Sequence, residues 1–409
     1  MTRLIQIYEH QKLLFGDQFK EHHRDALFKL NELHSFNYLE AVSGGVRFKN
    51  YVGIVQIDGL CIEILPKIDN VSATKDQWRN VLVEMLRVSR QLQATDTNYA
   101  DVKKKNYNLL EIYLELFLRE VESLIRRGLC KQYRKQTANT LALKGKLEMA
   151  GHIRYNLVHK ERFYTTHQVY DVNHEIHRII RCALDIVGKL ANGSYLASYA
   201  GRVSLDFPDL KYGKVTKSSF DNIVYSRKTA GYKRAVALAQ VIIENFSPSI
   251  SAGSTNMIAL LFNMDQLWES FIYHSLRQYS LQQQDFTVSY QNSKQLFTSK
   301  GYLLKPDIVI TRGEGSAKQH TILDTKWKVP KKKKASSSDL RQIYAYNRYW
   351  KAEKGILLYP GTDDVGEWLT YQDQHDEAEV KCKLAFVDLL EDGVLRANVG
   401  KKVVELLGS

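Results

Sequence analysis

The sequence predicts a multi-domain α/β protein with a β-rich N-terminal part, a helical middle and a C-terminal domain built on a mixed central sheet. Three patterns predict this. Residues 1–75 are rich in strand-forming runs, residues 76–250 show mainly helical spacing, and residues 251–409 alternate helices with strands. A length of 409 residues is compatible with two or three such domains.

The N-terminal part contains a predicted β-hairpin. Residues 46–57 are rich in β-branched and aromatic side chains, and residues 60–65 resume the same extended pattern. The Asp58-Gly59 pair between them is a strong signal for a tight turn. Pro66 ends the second strand, because proline has no N–H group for the ladder.

The middle part follows helical periodicity. Leu109, Tyr113, Leu116 and Leu124 recur at the 3.6-residue spacing of one helix face, and residues 172–190 and 228–246 show similar patterns. Residues 247–254, which read Ser-Pro-Ser-Ile-Ser-Ala-Gly-Ser, are typical of a linker. We therefore expect the main domain boundary there.

The C-terminal part predicts a helix, three strands, a second helix and a strand, with one more strand after it. A mixed sheet with helices packed on it follows from this order. In chain order, the predicted segments are residues 256–283, 286–291, 302–311, 320–326, 339–351, 355–359 and 383–387.

Composition indicates which kind of partner and which cellular compartment to expect. A formal net charge of +13 and a pI of about 9.3 favour polyanionic partners such as double-stranded DNA. The four cysteines are far apart and form no CxxC pair, so a disulfide framework or a zinc knuckle is not expected. Without a signal-peptide core or an apolar run long enough to span a membrane, the sequence predicts a cytoplasmic protein.

Two acidic residues and a lysine form the candidate catalytic centre. Asp307, which follows Pro306, and the pair Asp324 and Lys326 sit at the ends of adjacent predicted strands. Two carboxylates can hold Mg²⁺ beside a phosphodiester, and Mn²⁺ is expected to substitute. Asp324 and Lys326 share one face of their strand, since side chains alternate with a period of two. The side chain of Thr325 should point away, with its backbone carbonyl still able to reach the metal.

Further residues are predicted to support this centre. Glu269 lies within an apolar stretch of the first C-terminal helix, and we expect it near the two aspartates as a further catalytic and metal-binding group. Gln342 and Tyr346 stand at i and i+4 on one helix face, from which they can contact DNA or Lys326. The candidate DNA-binding lysines just after the catalytic strand are Lys328, Lys331, Lys332, Lys333 and Lys334.

These motifs resemble those of a known family, the McrC subunit of McrBC-type modification-dependent restriction systems, whose nuclease part is of the PD-(D/E)XK type. The resemblance covers most of the chain. It rests on Leu267-Trp268-Glu269, Lys305-Pro306-Asp307, Leu323-Asp324-Thr325-Lys326-Trp327-Lys328, Gln342-Ile343-Tyr344-Ala345-Tyr346, Gly53-Ile54-Val55 and Ile62-Glu63-Ile64-Leu65-Pro66-Lys67-Ile68.

The resemblance implies a function and a partner. It implies an αβββαβ nuclease domain at residues 251–409 that cuts DNA, and a partner-binding region at residues 1–75. The implied partner is a McrB-like AAA+ GTPase or ATPase hexamer, whose nucleotide hydrolysis this chain would stimulate. The chain has no G-x-x-x-x-G-K-[ST] loop of its own, which agrees with that division of roles.

Two alternatives stay open at this point. One is a non-cleaving activator of an AAA+ motor whose nuclease fold only holds DNA. The other concerns His174-Glu175-Ile176-His177, which is one residue short of the H-E-x-x-H zinc-protease motif and is more simply read as a polar helix surface.

Overall fold

The computed structural model describes residues 3–34, 37–57, 59–68, 73–92, 107–248, 256–297, 301–330, 334–362, 366–372 and 379–408. Contacts divide the chain into two compact units. The sheet unit comprises Arg3–Leu92 and Leu260–Ser409, and the helical unit comprises Gln93–Ala259. In the described ranges, no helix has both the length and the apolar character needed to cross a bilayer.

The N-terminal segment of the sheet unit carries the predicted hairpin. Its elements are β1 Arg3–Tyr8, β2 Lys12–Leu14, α1 Glu21–His34, β3 Leu39–Val42, β4 Gly45–Phe48, β5 Tyr51–Ile57, β6 Leu60–Leu65 and α2 Lys75–Val88. β5 and β6 pair antiparallel, which confirms the hairpin, and Gly59 adopts the positive φ of 77° that its turn needs. Asp58 lies outside the described residues. The predicted strand 46–57 is in fact two strands, β4 and β5.

The helical unit contains the predicted helices together with strands that the periodicity did not reveal. The elements are α3 Leu109–Arg127, β7 Gln132–Thr140, β8 Lys146–Leu147, α4 Met149–Asn156, β9 Phe163–Asp171, α5 Glu175–Leu190, α6 Ala197–Asp206, α7 Lys217–Asp221, α8 Lys233–Asn245 and β10 Phe246–Pro248. The buried apolar faces of α3, α5 and α8 form its core.

A three-stranded sheet of order β7-β9-β8, with α4 packed on β9, interrupts the helices. We call residues 132–171 the arm. A mainly helical reading of residues 76–250 is therefore wrong over this stretch. Its strands are polar and partly exposed along their length, so they carry no apolar alternation that could mark them in the sequence.

The C-terminal segment begins with a strand where the sequence predicts a helix. β11 Asn256–Asn263 pairs with β10 through its first residues and belongs to a sheet of order β1-β6-β5-β11. The helix α9 starts only at Met264 and ends at Gln283. An uninterrupted apolar run does not distinguish a buried strand from a helix, which explains the error. Gly53 permits close strand approach, because a Cβ there would lie 1.9 Å from the Leu260 carbonyl oxygen.

The remaining elements form a mixed sheet covered by helices. They are β12 Phe286–Tyr290, β13 Lys294–Gln295, β14 Leu303–Leu304, β15 Ile308–Arg312, β16 Gln319–Thr325, α10 Ser337–Trp350, β17 Lys354–Pro360, β18 Leu369–Thr370, β19 Lys381–Val387, β20 Leu390–Glu391, β21 Val394–Leu395 and α11 Val399–Gly408. The order is β12-β15-β16-β17-β19-β18. β12, β15 and β16 are antiparallel, whereas β16, β17 and β19 are parallel.

The two ends of the sequence meet within the sheet unit. The backbone N–H of Met264 donates to the Asn50 carbonyl over 2.9 Å, and the Trp327 indole donates to the Glu9 carboxylate over 2.7 Å. The observed units therefore run differently from the division into residues 1–75, 76–250 and 251–409. Segments distant in sequence share strand pairing and packing, which local patterns do not report.

Candidate active site

The candidate catalytic residues lie at one end of the strand pair β15–β16. Asp307 immediately precedes β15, and the register that pairs Ile308 with Leu323 places it beside Asp324. Asp324 is fully buried, and Asp307 is partly exposed. Antiparallel pairing thus brings together two carboxylates that are 17 residues apart in sequence.

Thr325 fixes the position of Asp307. Its backbone N–H and its hydroxyl both donate to Oδ2 of Asp307, over 2.7 and 2.9 Å. The expectation that the Thr325 side chain points away from the site is therefore wrong, because the hydroxyl reaches across to the neighbouring strand. These two hydrogen bonds hold one carboxylate oxygen and leave the other available.

Lys326 connects the acidic pair to the helix α10. Its ammonium group lies 2.8 Å from Oδ2 of Asp324 and donates to Oε1 of Gln342 over 3.3 Å. Gln342 in turn donates to the Tyr346 hydroxyl over 2.9 Å. Gln342 and Tyr346 therefore share one helix face, as the i, i+4 spacing predicts, and that face turns toward Lys326.

Glu269 reaches the same region from the helix α9. Its side chain is only 9% exposed, and Oε1 accepts a hydrogen bond of 2.7 Å from Nε2 of Gln291. The backbone N–H of Gln291 donates to the Asp307 carbonyl over 2.9 Å, so Gln291 links the two acidic residues.

The electrostatics are those of crowded, partly desolvated acids. Burial, followed by the charge of Asp307, raises the pKa of Glu269 from the ordinary 4.5 to about 7. Burial also raises the pKa values of Asp324 and Asp307, and for Asp324 the charge of Asp307 adds to the effect. Burial alone would lower the pKa of Lys326, but the Asp324 carboxylate raises it. An additional positive charge close to these carboxylates would therefore stabilise their ionised forms.

The lysines predicted to bind DNA differ in their surroundings. Lys328 donates to Oδ2 of Asp339 over 2.6 Å, so it is paired within the chain although half of its side chain is exposed. Lys334 is exposed. Lys331, Lys332 and Lys333 lie outside the described residues.

Gln291 and Tyr290 belong to the site although sequence reasoning missed them. Tyr290 ends the strand β12 and Gln291 follows it, and the pairing partner of β12, β15, starts beside Asp307. Burial, followed by the charge of Glu269, raises the pKa of Tyr290 to about 12. The sequence places both residues at the end of a predicted strand. Only the observed pairing of β12 with β15 shows that this strand end lies beside Asp307.

The donor set fits a hard divalent cation. Oδ1 of Asp324 is buried and has no hydrogen-bond partner among the described residues, which is costly for a carboxylate unless an ion binds. Carboxylate oxygens are the ligands that Mg²⁺ prefers. In the described part of the chain, no three acidic side chains bring their oxygens within 4.8 Å of one another. Asp307 and Asp324 are the candidate ligands at the strand ends, and Glu269 lies in the same region of the site.

Two solved structures have folds similar to that of this chain. A chain of the solved Thermococcus gammatolerans assembly of McrB AAA+ hexamers with bound McrC matches with a TM-score of 0.74 and 21% identity, covering 99% of each chain. A chain of the cryo-EM structure of the Thermococcus gammatolerans McrBC complex matches with a TM-score of 0.50 and 20% identity, covering 67% of this chain and 87% of that chain. Among curated proteins, none matches the chain significantly.

Fold and family model together define the class of protein as a restriction-system component with a mixed α/β architecture. The family model for the McrBC 5-methylcytosine restriction system component matches residues 46–360, well over half of the chain. The chain belongs to that family. The resemblance to McrC that the sequence motifs suggested is confirmed.

Proposed function

We propose that this chain is the DNA-cleaving subunit of a McrBC-type restriction complex, a Mg²⁺-dependent endodeoxyribonuclease of the PD-(D/E)XK type. The observation that carries the proposal is the convergence of Asp307, Asp324 and Lys326 at one sheet end, around a buried carboxylate oxygen of Asp324 that has no hydrogen-bond partner in the described part of the chain. A structural role alone does not account for that oxygen, because an unpaired buried polar atom destabilises the fold.

Each residue has a defined part in phosphodiester hydrolysis. Asp307 and Asp324 would hold Mg²⁺, which polarises the phosphoryl oxygen and lowers the pKa of a bound water. Lys326 is placed to orient the attacking water and to stabilise the negative charge that develops on the phosphate. Gln342 positions the Lys326 ammonium group, and Thr325 fixes the orientation of Asp307.

We further propose that the chain binds a McrB-like AAA+ GTPase or ATPase hexamer and stimulates its nucleotide hydrolysis. The solved relatives come from assemblies of McrB AAA+ hexamers with McrC. The arm offers a surface suited to a protein partner, since Leu141, Leu157 and Val158 are 77%, 73% and 84% exposed. All three side chains belong to the arm, and apolar surface exposed to solvent is a feature of interaction sites.

A plasmid-nicking assay tests the proposed cleavage. The full chain is incubated with the AAA+ partner, its nucleotide and plasmid DNA in Mg²⁺, in Mn²⁺ or in EDTA. We expect cleavage with either metal, none in EDTA, and none with Asp324→Asn in any condition. Full cleavage by Asp324→Asn would remove the site assignment. Nucleotide hydrolysis stimulated by a chain that never cuts DNA would instead favour the non-cleaving activator.

Substitutions on the arm test the proposed partner contact. Leu157→Asp together with Val158→Asp should reduce stimulated nucleotide hydrolysis by about tenfold or more. The matched control is Leu205→Asp, because Leu205 is 88% exposed on α6, outside the arm. Equal stimulation by the control and the arm variant would exclude the arm as the contact surface.

A further inference from the structure

Three side chains that commonly ligate metals meet at the base of the arm. Cys130 precedes β7, His174 is the N-cap residue of α5, and His177 lies in the first turn of that helix. Their ligand atoms all lie within 4.8 Å of one another, and no other trio of His, Cys, Asp or Glu in the described ranges does so. His174 is 8% exposed, and His177 is fully buried.

The distances suit a tetrahedral ion. Sγ of Cys130 lies 3.5 Å from Nε2 of His174. A tetrahedral zinc ion, with bonds of about 2.3 Å to sulfur and about 2.0 Å to nitrogen, places these two atoms about 3.5 Å apart. The distance between Cys130 and His174 therefore already matches that of a zinc site. Side-chain movements of about 1 Å would bring the His177 ligand atom to the corresponding distances.

His177 has the orientation of a metal ligand. Its Nδ1 lies 2.7 Å from the Val172 carbonyl oxygen. Since a carbonyl only accepts, Nδ1 carries the hydrogen, and the neutral ring presents the lone pair of Nε2 to the cluster. Metal-bound histidines characteristically donate their other N–H to a backbone carbonyl or a carboxylate in this way.

We propose that Cys130, His174 and His177 bind one Zn²⁺ ion. Zinc suits this soft and borderline donor set of one thiolate and two imidazoles better than Mg²⁺ or Ca²⁺, which prefer oxygen. Binding replaces the thiol proton of Cys130, which passes to solvent, and moves the remaining proton of His174 to Nδ1. Water takes the fourth position from the adjacent cleft of about 330 Å³, which His174 and Glu175 line.

Two features of the structure separate this site from a zinc-protease centre. The motif His174-Glu175-Ile176-His177 lacks the i, i+4 spacing, and its first histidine caps the helix without being part of it. The third ligand comes from Cys130, 44 residues before His174. We therefore assign a structural role, in which the ion ties the start of β7 to the start of α5 and closes the base of the arm.

A hydrogen-bonded cluster is the competing explanation. The Tyr232 hydroxyl lies 3.1 Å from Nε2 of His177 and accepts from the backbone N–H of Cys130 over 2.9 Å. Nε2 of His174 lies 3.2 Å from the carbonyl oxygen of Cys130. These contacts can hold the metal-free cluster together, so the zinc content of the protein decides between the two explanations.

The test measures zinc in the full-length chain carrying Asp324→Asn, so that the acidic cluster contributes little. The protein is produced with added zinc, dialysed without a chelator and analysed by elemental mass spectrometry. We expect about one zinc per chain, a loss of at least fivefold in Cys130→Ser and in His174→Gln, and no loss in Cys182→Ser. Cys182 is the matched control, because it is a half-buried free cysteine in α5.

Cobalt provides an independent readout of the same ligands. Replacing zinc with Co²⁺ should give a thiolate-to-metal charge-transfer band in the parent and in Cys182→Ser, but not in Cys130→Ser. Removing the zinc should lower Tm in the parent and leave Tm of Cys130→Ser unchanged, since only a bound ion stabilises the native chain. A parent without zinc, or equal zinc in Cys130→Ser, would establish the hydrogen-bonded cluster instead.

Discussion

Replacing Glu269 by glutamine should stabilise the protein at alkaline pH. In the folded chain the pKa of Glu269 is raised from 4.5 to about 7, mainly by burial and by Asp307. An acid with a raised folded pKa favours the folded state below its unfolded pKa, and this contribution is lost as pH rises through the folded pKa. The ionised carboxylate is therefore unfavourable at pH 8 and absent at low pH.

The size of the effect follows from the difference in pKa. Each pKa unit corresponds to about 1.4 kcal/mol, so the ionised carboxylate costs up to about 3 kcal/mol at pH 8. Water entry and side-chain relaxation reduce this, and we expect the glutamine variant to gain about 1–3 kcal/mol in unfolding free energy. The contact with Gln291 survives, because the glutamine oxygen still accepts its hydrogen bond.

The assay is urea unfolding in EDTA at pH 5 and pH 8, with Glu353→Gln as the control because the Glu353 side chain is exposed. Glu269→Gln should gain stability at pH 8 and little at pH 5, while the control changes at neither pH. Adding Mg²⁺ should narrow the difference at pH 8, since the ion stabilises the parent. An equal gain at both pH values would refute the electrostatic reasoning.

Three further predictions follow from described contacts. Lys326→Ala should lower the cleavage rate at least 100-fold without changing partner binding, measured by plasmid nicking and by co-sedimentation with the AAA+ partner. Gly53→Ala should reduce the unfolding free energy by about 2–4 kcal/mol in urea titrations, because its Cβ would collide with the Leu260 carbonyl and its φ of 135° is unfavourable for alanine. Arg79→Met should cost about 3–5 kcal/mol in the same titrations, because it removes a cation that lies 2.9 Å from the fully buried carboxylate of Glu63; a loss below 1 kcal/mol would contradict that estimate.

The sequence predicted the central residues of the candidate site because they lie on consecutive paired strands. Asp307 and Asp324 meet through one antiparallel register, and Lys326 follows from strand alternation. Gln291 could not be assigned, since its contact with Glu269 depends on which strand ends meet. The sequence also could not place Cys130 beside His174, because the two residues are 44 positions apart in the chain.

The fold was predictable where periodicity is strong and failed where it is ambiguous. The helix from Leu109 to Arg127 follows from the spacing of its apolar residues. The run 257–262 is apolar throughout and is predicted as part of a helix, although Asn256–Asn263 forms a strand. A truncated chain ending near residue 247 is therefore a poor test of partner stimulation, because it deprives β5 of its neighbour β11.

The shared sheet unit also imposes an order on synthesis. The ribosome completes Arg3–Leu92 well before Leu260–Ser409, with the helical unit translated in between. At about 5–20 residues per second, the first segment waits roughly 15 to 60 seconds until the rest of its unit has been synthesised. Because Asp307 and Asp324 lie in the second segment, any chain that terminates before residue 307 lacks both carboxylates of the candidate site.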